Sequence, residues 1–229
     1  MELRRATGGD AEAALQVWRA ARAATGQRPP AARVARVAEK LAAPDALLVV
    51  AAEADEVVGF ALGEWGRADD GAGGLEPGLL HLSLLAVHPS VQRQGLGGAL
   101  AEGLADTAYP KGARRLSAWV AGGDASAFLQ AVGFEATGRR RDPLVQYEAE
   151  LEAPLRELQV REQGLRLGQL LKLAGLVETG SEGKALLEAG EVLVNGEVDL
   201  RRGRQLVDGD VVEARGEAVR VLLPDDSPG

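Results

Sequence analysis

The segment that most limits what this chain can fold into runs from residue 84 to residue 100. It reads Leu84-Leu85-Ala86-Val87-His88-Pro89-Ser90-Val91-Gln92-Arg93-Gln94-Gly95-Leu96-Gly97-Gly98-Ala99-Leu100. An apolar run of strand length is ended by Pro89 and passes into a glycine-rich loop. The loop opens a helix over 95–109, with Leu96, Leu100, Gly103, Leu104 and Thr107 on one face. The first turn of such a helix has free N–H donors and carries about half a positive charge. Gly95, Gly97 and Gly98 let those amides approach an anion with no Cβ in the way, and Arg93 adds a guanidinium beside them. The residues alone leave two readings open. One is capture of a pyrophosphate, hence of a nucleotide-like ligand; the other is a strand-to-helix turn whose glycines only ease packing. A Rossmann dinucleotide site fits poorly, because the loop falls mid-domain and no acidic residue follows a second strand at the required distance.

Around this segment the pattern alternates between helix and strand up to about residue 151. Residues 11–24 and 31–42 read as helices, the first with Asp10 as N-cap, the second set between Pro29-Pro30 and Pro44. Residues 46–52 and 57–62 read as an antiparallel pair around an Ala54-Asp55 turn. Residues 79–87, 116–120, 134–137 and 144–151 read as further strands, 124–132 as a short helix stopped by Gly133, and 66–78 as a loop. After residue 151 the pattern changes. Leu167, Leu170, Leu171 and Ala174 fall at i, i+3, i+4 and i+7 on one helix face, and Ser181 can cap a second helix that ends at Gly190. Asn195-Gly196 after an alternating run is a strong hairpin signal, and a strand over 211–214 follows Asp208-Gly209. The organisation expected is a domain over 1–152, a linker over 153–163 with a strand over part of it as the alternative, a small α+β domain over 164–223 and a disordered tail over 224–229.

Composition closes off several functions. With 229 residues, 46% hydrophobic and 26% charged, the chain has an ordinary soluble composition sized for one large domain or two small ones. Its longest apolar run, over 46–52, is far short of the ~20 residues a bilayer span needs, and the first residues hold no signal core. A cytoplasmic protein without membrane association is expected. The lack of cysteine excludes disulfides, thiolate metal sites and a thiol nucleophile. Only two histidines, His81 and His88, are present, so no metal site is expected. A net charge of −8 excludes nucleic-acid binding by bulk charge, so any RNA contact needs a local basic patch.

The segment Gln92-Arg93-Gln94-Gly95-Leu96-Gly97, following Leu85-Ala86-Val87, resembles the signature of the GNAT N-acetyltransferase superfamily. The order of elements and the Ala127-Phe128-Leu129-Gln130-Ala131-Val132-Gly133-Phe134 junction share that resemblance. It implies an α/β (α+β) fold with a mixed, mostly antiparallel central sheet flanked by helices. It implies acetyl-CoA as donor and an amine as acceptor. Leu85, Ala86 and Val87 would line the pantetheine arm, inserted between two splayed strands. The amides of Arg93, Gln94, Gly95, Leu96, Gly97 and Gly98 would hold the pyrophosphate. The Val87 N–H would polarise the thioester carbonyl. Two departures stand out: Leu129 occupies the position where many members place a tyrosine acid, and the asparagine often found near the start of that helix has no clear match, Asp124 being nearest. Transfer requires a general base, and His81 and Glu64 are the candidates. His81 and Ser83 share the strand face of Leu85 and Val87 unless a bulge intervenes, and Glu64 ends the neighbouring strand. A strand histidine satisfied by a backbone group is the competing reading of His81.

Residues 164–221 resemble the S4 RNA-binding domain in its small stand-alone bacterial form. The matching stretches are Leu167-Gly168-Gln169-Leu170-Leu171-Lys172-Leu173-Ala174-Gly175-Leu176, Gly180-Ser181-Glu182-Gly183-Lys184-Ala185, Gly190-Glu191-Val192-Leu193-Val194-Asn195-Gly196-Glu197, Arg201-Arg202-Gly203-Arg204 and Asp208-Gly209-Asp210-Val211-Val212. Arg166, Lys172, Lys184, Arg201, Arg202 and Arg204 are the candidate contacts to structured RNA. The stretch 164–206 holds six basic and six acidic side chains, so binding requires the charges to segregate onto opposite faces. The expectation is an acetyltransferase carried to a ribosome, a ribosomal protein or a structured RNA. Two alternatives remain: a non-catalytic RNA- or ribosome-associated protein with a degenerate CoA-binding fold, and a small-molecule acetyltransferase whose second domain no longer binds RNA.

Overall fold

A computed structural model describes residues 1–67, 73–160 and 164–224. The tail expected over 224–229 lies, beyond Pro224, outside the described residues. The chain divides into two compact units, Met1–Leu151 and Glu152–Gly229.

The first unit runs β1 (Glu2–Arg5), α1 (Asp10–Ala24), α2 (Ala31–Leu41), β2 (Leu47–Glu53), β3 (Glu56–Arg67) and β4 (Leu75–Val87). It continues through a three-ten turn (Pro89–Val91), α3 (Leu96–Ala108), β5 (Arg115–Val120), α4 (Asp124–Ala131), β6 (Glu135–Arg141) and β7 (Leu144–Glu150). The seven strands form one sheet in the order β1-β2-β3-β4-β5-β7-β6, and β4 with β5 is its one parallel pair. Strand alternation sends Leu48, Val50, Phe60 and Leu62 to one face, against Trp18 of α1 and Val37 and Leu41 of α2. Leu47, Val49, Ala61, Leu80 and Leu116 go to the other, against Leu96, Leu100 and Leu104 of α3. This is the mixed, mostly antiparallel sheet with flanking helices that the sequence implied.

In this unit the structure changes two readings of the sequence and adds a strand the sequence did not announce. β3 reaches Arg67 and β4 begins at Leu75, so most of the loop expected over 66–78 is strand, and residues 68–72 lie outside the described residues. Asp10 opens α1 rather than capping it. Its carboxylate accepts from the Thr7 N–H (2.6 Å) and from Arg4 (2.7 Å), tying β1 to the helix start. The edge strand β1 has only four, mostly exposed, residues and no alternation to betray it.

The second unit runs β8 (Leu155–Gln159), α5 (Leu167–Leu173), α6 (Gly180–Glu188), β9 (Val192–Val194), β10 (Glu197–Val198), β11 (Val211–Ala214) and β12 (Glu217–Leu222). Its sheet has the order β10-β9-β11-β12-β8, with β8 parallel to β12. Leu155–Gln159, expected within a linker, is therefore a strand of this sheet. Its short run of exposed, charged residues hid the alternation, while Leu158 packs against the second core. Asn195 (φ 55°) and Gly196 (φ 80°) form the hairpin turn the sequence announced. Leu167, Leu170, Leu171 and Leu187 pack on Val192, Val194, Val212 and Val219 to fill the core between helices and sheet.

Candidate functional site

β4 carries an extra residue. Leu62 pairs with Leu84 but Gly63 pairs with Leu82, so Ser83 is bulged out of the ladder. The bulge flips the faces. Leu80 and Leu82 before it, and Leu85 and Val87 after it, all face α3, while Leu84 and Ala86 face α1. Pairing of β4 with β5 is confined to Leu79–His81 against Arg115–Ser117. Beyond that point the two strands splay, and among the described residues the β5-facing edge of residues 82–87 meets no strand. Backbone donors and acceptors along that edge need partners. A cleft of about 710 Å³ occupies the gap. It is lined by Leu82 through Val87, by Ala118, Trp119 and Val120 of β5, and by Arg93 and Gly95 through Gly98. The C-terminal half of α1 contributes Trp18 and Arg22, and the residue after it Thr25.

At the end of β4 the chain turns through a short three-ten segment. His88 is a turn residue, its Nδ1 2.7 Å from the Ser90 hydroxyl. Gln92 ties the loop back by donating from Nε2 to the Val87 carbonyl at 2.9 Å. Arg93 (φ 62°) and Gly95 (φ 80°) both take left-handed backbone, and Gly95 leads directly into α3. The first helical bond runs from the Ala99 N–H to the Gly95 carbonyl at 3.2 Å, so the amides of 96–98 precede the helical ladder. The three glycines do different jobs. A Cβ at Gly95 would meet nothing within 4 Å, so its role is the backbone conformation. At Gly97 a Cβ would lie 3.1 Å from Phe128, and at Gly98 3.4 Å from Val132, so these two also let α3 approach the segment of α4 and the residue after it. The packing reading of the loop thus holds at Gly97 and Gly98, and the amides of 96–98 stay free of the helical ladder. An unpaired strand edge leading into free amides suits an extended ligand whose amide-bearing arm ends in a diphosphate linkage, as the pantetheine arm of a CoA thioester does. Leu129 lines the same cleft, is 2% exposed and carries no proton to give.

The bulge also relocates the base candidates. His81 does not share the face of Leu85 and Val87; it lies on the opposite side, with Nδ1 3.2 Å from the Ser117 hydroxyl. Glu64 is on the same side, ion-paired to Lys40 of α2, and Lys40 also donates to the bulged Ser83 at 2.9 Å. His81, Ser117, Glu64 and Lys40 line a second cavity, of about 310 Å³, that shares Trp119 with the main cleft, whereas Ser83 lines the main cleft. Burial pushes the His81 imidazole below its ordinary value, aided by Lys40 and opposed by Glu64 and by the Ser117 backbone. Burial works to raise the Glu64 carboxyl, but hydrogen bonds from Lys40 and Ser83, with the charges of Lys40 and His81, hold it below the usual range. His81 is therefore a neutral acceptor near neutrality, while Glu64 is a stabilised anion. Among the described residues no group of three or more His, Asp or Glu could hold a metal ion.

In the second unit the six basic candidates divide. Asp199, 4% exposed, accepts from Arg201 (2.5 Å) and Arg204 (2.8 Å), so both arginines are tied to one carboxylate. The loop they belong to docks on the start of α5. The Leu167 N–H donates to the Arg204 carbonyl (2.8 Å) and the Gly168 N–H to the Arg202 carbonyl (3.0 Å). Arg202 lies across Gly168 of α5 and Gly180 of α6, where a Cβ would meet its side chain at 2.6 and 3.1 Å. Lys172 and Lys184 stand one turn after these glycines. At a spacing of four residues each lysine shares a helix face with its glycine. Lys184 also pairs with Glu188 at 3.5 Å. Arg166 precedes α5 directly and is exposed, its N–H held by Gln169 Oε1 at 2.9 Å.

The bond from the Arg201 side chain dominates in holding the Asp199 carboxyl well below its usual range, with burial opposing and Arg204 assisting. Its stabilisation is complete above the unfolded carboxyl value of about 3.9 and is lost as pH falls through the lower native value. Asp199→Ala is expected to lower the melting temperature of the second unit by about 5 °C at neutral pH. That deficit should shrink on acidification, as thermal scans from pH 7 to pH 2 would reveal; a deficit independent of pH would contradict this role.

The sequence singled out neither Lys40 nor Arg202's special placement, and it offered Trp119 only as a core or rim aromatic. Lys40 is one charge among several on an amphipathic helix, and nothing local marks its reach to β3 and β4. The glycines at 168 and 180, each four residues before a lysine and at the start of a helix (Thr179, not Ser181, caps α6), were the available signal for Arg202.

Residues 14–134 match the acetyltransferase (GNAT) family, and residues 158–222 match the S4 domain. Over 52 residues, 23% of this chain and 73% of the relative, the chain is 54% identical to the probable ribosome maturation protein RlbA of Bacillus subtilis (strain 168). Among solved structures it resembles the ribosomal-protein-S18-alanine N-acetyltransferase of Escherichia coli, with a TM-score of 0.52 and 21% identity over 66% of this chain and 93% of that one. It also resembles PaiA N-acetyltransferase of Thermoplasma acidophilum, solved in complex with coenzyme A, with a TM-score of 0.51 and 14% identity over 65% and 98%. At these identities the two solved structures speak for the fold alone. No helix among the described residues is long and apolar enough to cross a membrane.

Proposed function

Because the chain belongs to the acetyltransferase (GNAT) family and joins to it an S4 domain, we propose an acetyl-CoA-dependent N-acetyltransferase that is guided by RNA. Its acceptor is an amine on a ribosome- or RNA-associated target. The observation that carries the donor half is the unpaired edge of β4 running into the amides after Gly95. When bound, acetyl-CoA supplies an activated acyl group with a thiolate as leaving group. The chain's own residues do the rest. The β4 edge takes the amides of the pantetheine arm, the amides of 96–98 and Arg93 take the diphosphate, and Gln92 fixes the loop to the strand end. His81, neutral and on the α2 side of the sheet, accepts the proton that the amine must lose. Leu129 offers no acid, and a thiolate leaves without one.

Calorimetric titration with CoA, paired with transfer of labelled acetyl to a ribosomal protein fraction, tests this reading. Saturable heat and labelling of a defined amine are expected. No heat would remove the donor site. Heat without any labelling would instead favour a CoA-binding, non-transferring unit, the reading to which the apolar Leu129 lends support.

For the second unit, Arg202 with Lys172 and Lys184 is the patch best placed to meet phosphates, since Arg201 and Arg204 are committed to Asp199. The curated relative's name, a ribosome maturation protein, supports ribosomal RNA as the partner class. Replacing those three residues with alanine is expected to weaken binding to a structured RNA and to reduce the slope of log K against log salt by roughly 2 to 3. Filter binding across a salt series measures it; an unaltered slope would count against the patch.

A further inference from the structure

The second cavity of the first unit carries its own chemistry. Its wall contains two carboxylates, and both are already spent: Glu64 on Lys40, and Glu76 on Arg115 at 2.6 Å. Its other charges are positive. Arg67 and Arg139 enter no ion pair among the described residues, and Arg141 stacks on Trp119 with its guanidinium carbon 5.0 Å from the ring centroid. Arg139 is aimed here by a second irregularity of the sheet. The β6–β7 register shifts between Ala136 and Arg140, Gly138 takes φ 82°, and the Thr137 hydroxyl accepts the Arg139 N–H at 3.3 Å. The bulge puts a long cation at the mouth of a cavity that meets the main cleft at Trp119.

We propose that this cavity is the acceptor subsite and that it selects an amine flanked by carboxylates, on a short acidic stretch of polypeptide, over polycationic acceptors. The proposal deepens the transfer reading and rests on it. An acceptor amine entering along Trp119 sits beside His81, and its neighbouring acidic groups meet Arg139 and Arg67. A polyamine would find no carboxylate left to pair with, and its further charges would face arginines. The exposed setting of both arginines makes the selectivity modest and sensitive to salt.

Binding to the CoA-loaded protein tests the selectivity without requiring turnover. Short peptides beginning Ala-Glu-Glu, Ala-Gln-Gln and Ala-Lys-Lys, together with spermidine and free glutamate, are titrated while tryptophan fluorescence is followed. The Ala-Glu-Glu peptide is expected to bind about tenfold more tightly than the Ala-Lys-Lys peptide at low salt, with the difference narrowing as salt rises. Arg139→Glu should invert the order, and Arg67→Glu should narrow it. Glutamate binding as tightly as the peptide would assign the subsite to a free amino acid and overturn the polypeptide acceptor. Equal affinities, a preference for spermidine, or no binding by any probe would overturn the proposal. Acetylation of the same peptides is read separately. Selective binding with no acetylation would sink the transfer reading and leave the acidic selectivity standing.

Discussion

Valine at position 95 should reduce affinity for acetyl-CoA by more than about a hundredfold while leaving the first unit folded. Gly95 holds φ at 80° and opens α3, so the direction of the amides of 96–98 depends on it. An ordinary residue in that conformation costs about 1–2 kcal/mol, and a β-branched one more. The chain relieves the strain by leaving the left-handed region, which turns the amides away from the diphosphate. Charge-assisted bonds contribute about 1.5–3 kcal/mol each, so the loss of two is enough for the expected drop. Crowding is not the cause, because a Cβ at this position would meet nothing within 4 Å. Gly95→Asn is therefore the discriminating control. Asparagine tolerates the left-handed region, and affinity should return to within roughly fivefold of the parent. Calorimetry on the three proteins decides the matter: equal losses for valine and asparagine would show that the backbone conformation is not what matters.

His81→Gln is the second large effect. Kcat/KM for acetyl transfer should fall about a hundredfold, in the range expected for loss of a positioned base. The pH profile separates this role from simple disturbance of the fold. With His81 as the proposed base, activity in the parent is expected to require the neutral imidazole. Burial lowers its native value beneath the usual value of about 6.5, so the acid limb should lie below that pH. Above it the rate is at its plateau; as pH falls through the native value, the imidazole gains a proton and the rate declines. The glutamine variant should lack this limb. A variant with reduced rate but an unchanged acid limb would assign the titration to another group. Glu64 is the lesser candidate, since Lys40 holds it as an anion and so weakens it as a base.

Much of this was legible in the residues, and the reasons for the failures are physical. The loop from Gln92 to Gly98 could be read because positive φ, free amides and close helix approach all select glycine. The Asn195-Gly196 hairpin was legible for a similar reason, since both positions need left-handed backbone. The bulge at Ser83 was not. Nothing in an apolar run marks which residue will be extruded, yet a single extra residue moves His81 to the far face of the sheet. The pairing of Arg201 and Arg204 with Asp199 was hidden in the same way. A cluster of arginines reads as a phosphate patch until a buried carboxylate two and five positions away is seen to hold them. Short edge strands such as β1 and β8 left no periodic trace, because only their pairing makes them strands.

β8 has a practical consequence for anyone dissecting the chain. Leu155–Gln159 supplies five register pairs to β12, and the Pro154 carbonyl accepts the Ala218 N–H at 3.1 Å. A recombinant fragment started at residue 161 would look complete by its helices and hairpin. It would nonetheless strip the flank of β12 bare, leaving the peptide groups of Ala218–Leu222 open to recruit a neighbouring molecule. Such a fragment should self-associate as its concentration rises, and one begun at Ala153 should not.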